Sequence, residues 1–180
     1  MKSKLLNVLL IVIIVLLLCG LLGVVIYEKV KENEKGYSKK RLVEIYESIK
    51  YDDKINLYLF HGESCPHCKK ELEFFKNMDE EYKSKYNLYT FEVWNDKNNQ
   101  RFKEIVIDTL VKEGKLTGKE RSEMTMDDYY AVVPFIIIGD KYIIGYNNEE
   151  DIGSQIKQNI DNEKDKGYDI MKKIEKSDLK

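Results

Sequence analysis

Cys65 and Cys68 stand three positions apart in the tetrapeptide Cys65-Pro66-His67-Cys68. Two thiols at that spacing at the start of a helix lie within one turn of each other, so they can close into a small disulfide ring or open to a dithiol with little backbone movement. The first of them meets unpaired backbone N–H groups and the positive end of the helix dipole, both of which favour thiolate over thiol. This makes Cys65 the expected nucleophile. Cys68, one turn in, is expected to be the less exposed resolving thiol that releases a mixed disulfide. Pro66 and His67 bear on redox poise: a positive charge on His67 near Cys65 would stabilise the thiolate and make the disulfide more oxidising. A thiol of pKa about 3.5 gains roughly 5 kcal/mol as thiolate at neutral pH. That is much of the roughly 7 kcal/mol separating strong disulfide oxidants from thioredoxin.

The same cysteine spacing is also half of a zinc site. Structural zinc takes four ligands, and the remaining candidates are His61 and His67, the latter inside the loop and badly placed to share a metal with both flanking thiols. No metal ligand set and no dissociable cofactor is therefore expected beyond the Cys65–Cys68 couple. A non-catalytic metal-binding or export-accessory module is the alternative reading. With 30 Lys and Arg against 32 Asp and Glu, the chain carries a formal charge of -2, which gives no footprint for nucleic acid. The third of its 3 cysteines, Cys19, lies in an apolar leader, so a disulfide-stapled mini-domain is excluded.

That leader runs from Leu5 to Ile26, long enough at about 1.5 Å per residue to span a bilayer as a helix. It lacks the short apolar core and small-residue cleavage site of a signal peptide, so residues 1–27 are expected to be an uncleaved transmembrane anchor. Lys2 and Lys4 favour a cytoplasmic amino terminus, yet Lys29, Lys31, Lys35, Lys39, Lys40 and Arg41 follow the span. Basic-residue counting alone would therefore keep the rest of the chain inside. A disulfide couple belongs to an oxidising compartment, which places the domain on the extracytoplasmic face.

Beyond the anchor, residues 28–38 read as a charged tether, 39–161 as one α/β domain and 162–180 as a charged tail, loosely helical or disordered. Helical spacing is expected over Lys39–Lys50, from the motif to about Tyr86, through Phe102–Leu110, over Lys119–Tyr129 and over Asp151–Ile160. Strands are expected at Ile55–Phe60, Asn87–Trp94 and Val132–Ile138, the last turning at Gly139-Asp140 into Lys141–Gly145. A β-α-β unit followed by a hairpin and a helix implies a mixed central sheet flanked by helices.

With the motif just beyond a strand and Val133-Pro134 just before a hairpin, the chain resembles the thioredoxin superfamily, and the tetrapeptide is similar to that of the DsbA-like disulfide oxidants. The chain's 2 prolines fall on that family's two hallmark positions. The resemblance covers roughly Ile55 to Ile160. It implies a thioredoxin-like fold and a cis-proline at Pro134, with Val133 pairing its main-chain atoms with substrate. It also implies exchange of disulfides with cysteine-containing extracytoplasmic proteins and recycling by a membrane redox partner. Donation and removal of disulfides share these features, so the direction stays open. One departure stands out. The family often keeps a buried acid six residues before the first cysteine to assist proton transfer at the resolving thiol, and here that position is Leu59. Glu63 is the nearest other acid, at an expected surface position.

Overall fold

The computed structural model describes residues 2–116, 124–163 and 167–179, the side chains of residues 2–9 and 28–35 excepted. The chain divides into two units, Met1–Ser38 and Lys39–Lys180. In the first, helix α1 runs from Lys2 to Lys35 and contains the stretch Leu10–Tyr27, with mean hydropathy 3.2, long and apolar enough to cross a membrane. The helix also takes in most of the expected tether. Its Glu and Lys residues are good helix formers, and no proline interrupts them.

The second unit starts with α2 (Lys39–Glu47), which buries Leu42 and Ile45, and enters β1 (Ile55–His61). It continues with α3 (Pro66–Asn77), α4 (Glu80–Lys83), β2 (Tyr86–Glu92), α5 (Lys97–Lys112) and α6 (Met126–Ala131). The hairpin β3 (Phe135–Ile138) and β4 (Lys141–Ile144) follows, and then α7 (Ser154–Glu163). The helix expected to run from the motif to Tyr86 is thus broken after Asn77. Asp79 starts a new one by accepting the N–H of Tyr82, as short polar residues at helix starts do. Of the helix expected over Lys119–Tyr129, residues 119–123 lie outside the described residues; Thr125 caps α6 in a reciprocal box with Asp128. β3 starts three residues later than expected, because Pro134 has no N–H to give the ladder.

The four strands form one mixed sheet in the order β2-β1-β3-β4. β1 is parallel to β2 and antiparallel to β3, and β3 is antiparallel to β4. Both faces are buried, so β1 reads as a continuous apolar run. Leu57 and Leu59 face a cluster with Phe74 and Phe75 of α3, Ile136 and Ile138 of β3, and Ile156 and Ile160 of α7. On the opposite face, Phe60 stacks on Phe91, which in turn packs against Phe102 of α5. The hairpin turns through Gly139 at φ 58°, a left-handed conformation that an L side chain resists.

Residues 167–179 are not a loose tail. Ile170, Met171, Ile174 and Leu179 are buried. Both carboxylate oxygens of Asp169 accept the Tyr58 hydroxyl at 2.9 Å, and one accepts Asn56 Nδ2 at 3.0 Å. Charges surrounding four well-spaced apolar residues disguise this segment in the sequence.

Candidate active site

β1 ends at His61, and the backbone turns through Gly62-Glu63-Ser64 into α3. The Cys65 N–H donates to the carbonyl of Gly62 at 3.1 Å, which closes that turn. Cys65 is the N-cap of α3, with Pro66 in the first helical turn, where its missing N–H leaves no gap in the helix ladder. Cys65 Sγ accepts the N–H of Cys68 at 3.1 Å. A backbone donor thus already points at the sulfur that would carry thiolate charge. The two cysteines form a disulfide across a Cα–Cα distance of 5.3 Å. Cys65 keeps 4% of its surface exposed and Cys68 none.

His67 is exposed, and its ring is fixed: Nδ1 lies 2.6 Å from the carbonyl oxygen of Tyr146. A carbonyl only accepts, so Nδ1 carries the proton of this hydrogen bond. On the other side of the disulfide, Cys65 Sγ lies 4.0 Å from the carbonyl oxygen of Val133. The Val133–Pro134 peptide is cis, Pro134 is buried, and its carbonyl accepts the Gly145 N–H at 2.9 Å across the hairpin. Cys65, Cys68 and Val133, distant in sequence, therefore meet at one end of the sheet, with His67 and Pro134 beside them.

The loop carrying Glu63 is held by one side chain. The Glu92 carboxylate, at the end of β2, accepts the backbone N–H groups of Glu63, Trp94, Asn95 and Asp96 at 2.8–3.3 Å, and these bonds hold its pKa below the usual carboxylate value despite desolvation. Trp94 is 47% exposed, with its indole lying on Gly62. A Cβ at Gly62 would fall 2.3 Å from that ring, so the close approach requires glycine. His61 Nδ1 is buried without a hydrogen-bond partner among the described residues, and burial lowers its pKa.

Two buried ionisable groups escaped the sequence reading. Glu71 is fully buried in α3, one turn after Cys68, with both carboxylate oxygens unpaired among the described residues. Burial raises its pKa to about 8. Leu59 lies on the sheet face that α3 covers. Glu63 stays exposed and accepts from Asn95 Nδ2 at 3.1 Å. Lys103, also fully buried, sits on α5 beside the segment leading to Val133, and burial lowers its pKa to about 7. Both stand within or next to apolar stripes, where a lone charged residue reads as a helix's solvent edge. Among the described residues, no group of three or more His, Cys, Asp or Glu side chains is arranged to hold a metal ion. Compared with known proteins, the chain matches no family model, no curated protein and no solved structure.

Proposed function

We propose that this chain is a membrane-anchored thiol–disulfide oxidoreductase of thioredoxin-like fold that exchanges disulfides with cysteine-containing proteins outside the cytoplasm. The observation that carries the reading is the Cys65–Cys68 disulfide at the N-terminus of α3, with Cys65 Sγ receiving a backbone N–H and facing the Val133 carbonyl. Cys65 is the attacking thiolate: it opens a substrate disulfide to give a mixed disulfide, and one substrate sulfur leaves as thiolate. The Cys68 thiol then gives up its proton to the substrate thiolate already released. The resulting Cys68 thiolate attacks Cys65 Sγ, re-forming the Cys65–Cys68 bond and expelling the second substrate thiolate. Run in reverse, the same steps donate a disulfide. His67, held through Nδ1 by the Tyr146 carbonyl, is the residue between the cysteines that tunes the couple. Helix α1 supplies the anchor, and a membrane redox partner returns the couple to its working state.

The test uses the full chain in detergent, reduced, with a disulfide-bonded peptide as substrate. Cys68→Ser is expected to accumulate a mixed disulfide with the peptide and Cys65→Ser to accumulate none. Equal trapping by both, or none by either, rejects the assignment. The Cys65–Cys68 potential, measured against glutathione, sets the direction: a value near thioredoxin's, about -270 mV, selects reduction, and one well above it selects oxidation. Labelling of Cys65 in intact cells by a membrane-impermeant alkylating reagent tests the topology, and labelling only after lysis contradicts the placement.

A further inference from the structure

The ammonium of Lys103 crosses from α5 to the segment that joins α6 to Pro134. Its Nζ donates to the Tyr130 carbonyl at 3.0 Å and to the Val132 carbonyl, and lies 5.3 Å from the centroid of the Phe135 ring. Burying a lysine completely costs several kcal/mol unless its donors are met, so this is an expensive way merely to fill space. Tyr130 lies in the last turn of α6, where carbonyls lack helical partners and a cation complements the helix dipole.

The Val132 carbonyl is the more informative acceptor. The Val132–Val133 peptide is trans, so its C=O and N–H point in opposite directions. With the carbonyl turned inward onto a fully buried ammonium, the Val133 N–H is turned away from the core. It donates to nothing among the described residues. The carbonyl of the same residue, Val133, faces Cys65 Sγ at 4.0 Å. Val133 therefore offers an N–H without a partner among the described residues and a C=O whose neighbour is the reactive sulfur itself. These are the groups an extended peptide needs to add itself as a short strand.

We propose that Lys103 is a positioning residue for substrate: it fixes the Val132–Val133 peptide plane so that the Val133 N–H and C=O are both presented to the backbone of a cysteine-containing peptide at Cys65. The inference rests on the oxidoreductase reading of the same site. Main-chain pairing at Val133 is part of that reading; what is added is the role of Lys103, from which small non-peptide disulfides have nothing to gain.

The experiment compares wild type with Lys103→Met, which keeps the apolar stem and removes the donors, using the full chain in detergent and a disulfide-bonded peptide. The expected result is a KM for the peptide about tenfold higher with kcat within about twofold, the pattern of lost binding rather than lost chemistry. A fall in kcat with KM unchanged overturns the proposal, as does unchanged turnover of the peptide. Lys103→Gln, whose amide keeps two donors, should recover much of the KM, and a Gln variant no better than Met counts against the proposal. Should Met at 103 fail to fold, the wild-type backbone decides. In the Cys68→Ser chain trapped with peptide, the Val133 amide should become protected from hydrogen exchange by at least tenfold over the peptide-free chain, and no gain in protection overturns the proposal. Failure of wild type to turn over the peptide would instead reject the underlying enzyme reading.

Discussion

The buried, unpaired carboxyl of Glu71 makes a quantitative prediction about stability. Its pKa is about 8 in the folded protein against an ordinary 4.5, with burial as the cause. Between those two values the folded chain holds a proton that the unfolded chain has released, so raising the pH favours unfolding. The slope is about 1.4 kcal/mol per pH unit. From pH 5 to pH 7 this one group should remove about 2–3 kcal/mol of stability, and the loss levels off above pH 8. Glu71→Gln keeps the shape and a neutral polar end but cannot ionise. The variant should match wild type near pH 5 and exceed it by about 2–3 kcal/mol at pH 7. The assay is denaturant unfolding of the oxidised full chain in detergent across that range, followed by the fluorescence of Trp94, the chain's 1 tryptophan. Oxidation keeps both active-site thiols out of the titration. Parallel pH profiles for the two proteins would refute the placement of a protonated Glu71 in the core.

Three further expectations follow from the same packing. Gly62→Ala should displace the Trp94 indole and destabilise the chain by about 1–3 kcal/mol, read as a shifted fluorescence maximum and a lower denaturation midpoint; an unshifted spectrum would show that the ring does not lie on Gly62. Glu92→Ala strips four backbone N–H groups of their acceptor and should cost about 1–3 kcal/mol at neutral pH, checked by denaturant unfolding. Because the Glu92 pKa is lowered, the difference from Ala should shrink as pH falls below the ordinary carboxylate range, and a difference independent of pH would contradict the ionic role. Asp169→Ala leaves the buried Tyr58 hydroxyl without its acceptor and should cost about 1–3 kcal/mol while speeding hydrogen exchange in residues 167–179, and unchanged exchange there would count against the docking of this segment.

How much of the site was legible can be traced residue by residue. The motif announced itself because cysteine is scarce and the pair sits between a strand pattern and a helical stripe, so local spacing alone placed Cys65 at a helix start. Val133 and Pro134 were legible through resemblance rather than through composition. Glu71 was invisible because a helix's register against a sheet, not its sequence, decides which side of its apolar stripe is sealed. Lys103 was hidden for the same reason: beside Phe102 and Ile105 it reads as a solvated edge until α6 and β3 close over it. The segment from 167 to 179 misled through its charges, since its partners are distant in sequence: Asp169 bonds to Asn56 and Tyr58 of β1, and residues 170–173 pack against α5.

The amino-acid order by itself determined most of the elements and the reactive pair. Periodicity of two or of 3.6 residues, turn glycines and the placement of two prolines are local properties, set by backbone sterics and side-chain spacing. Tertiary structure decided everything that depends on desolvation and on convergence across the sheet. It brought the Val133 carbonyl to Cys65, withdrew Glu71 from water, closed the core over Lys103 and seated Asp169 on Tyr58. Burial and proximity between residues tens of positions apart are what shift a carboxyl toward neutrality or aim an amide at a substrate, and neither exists until the chain has folded.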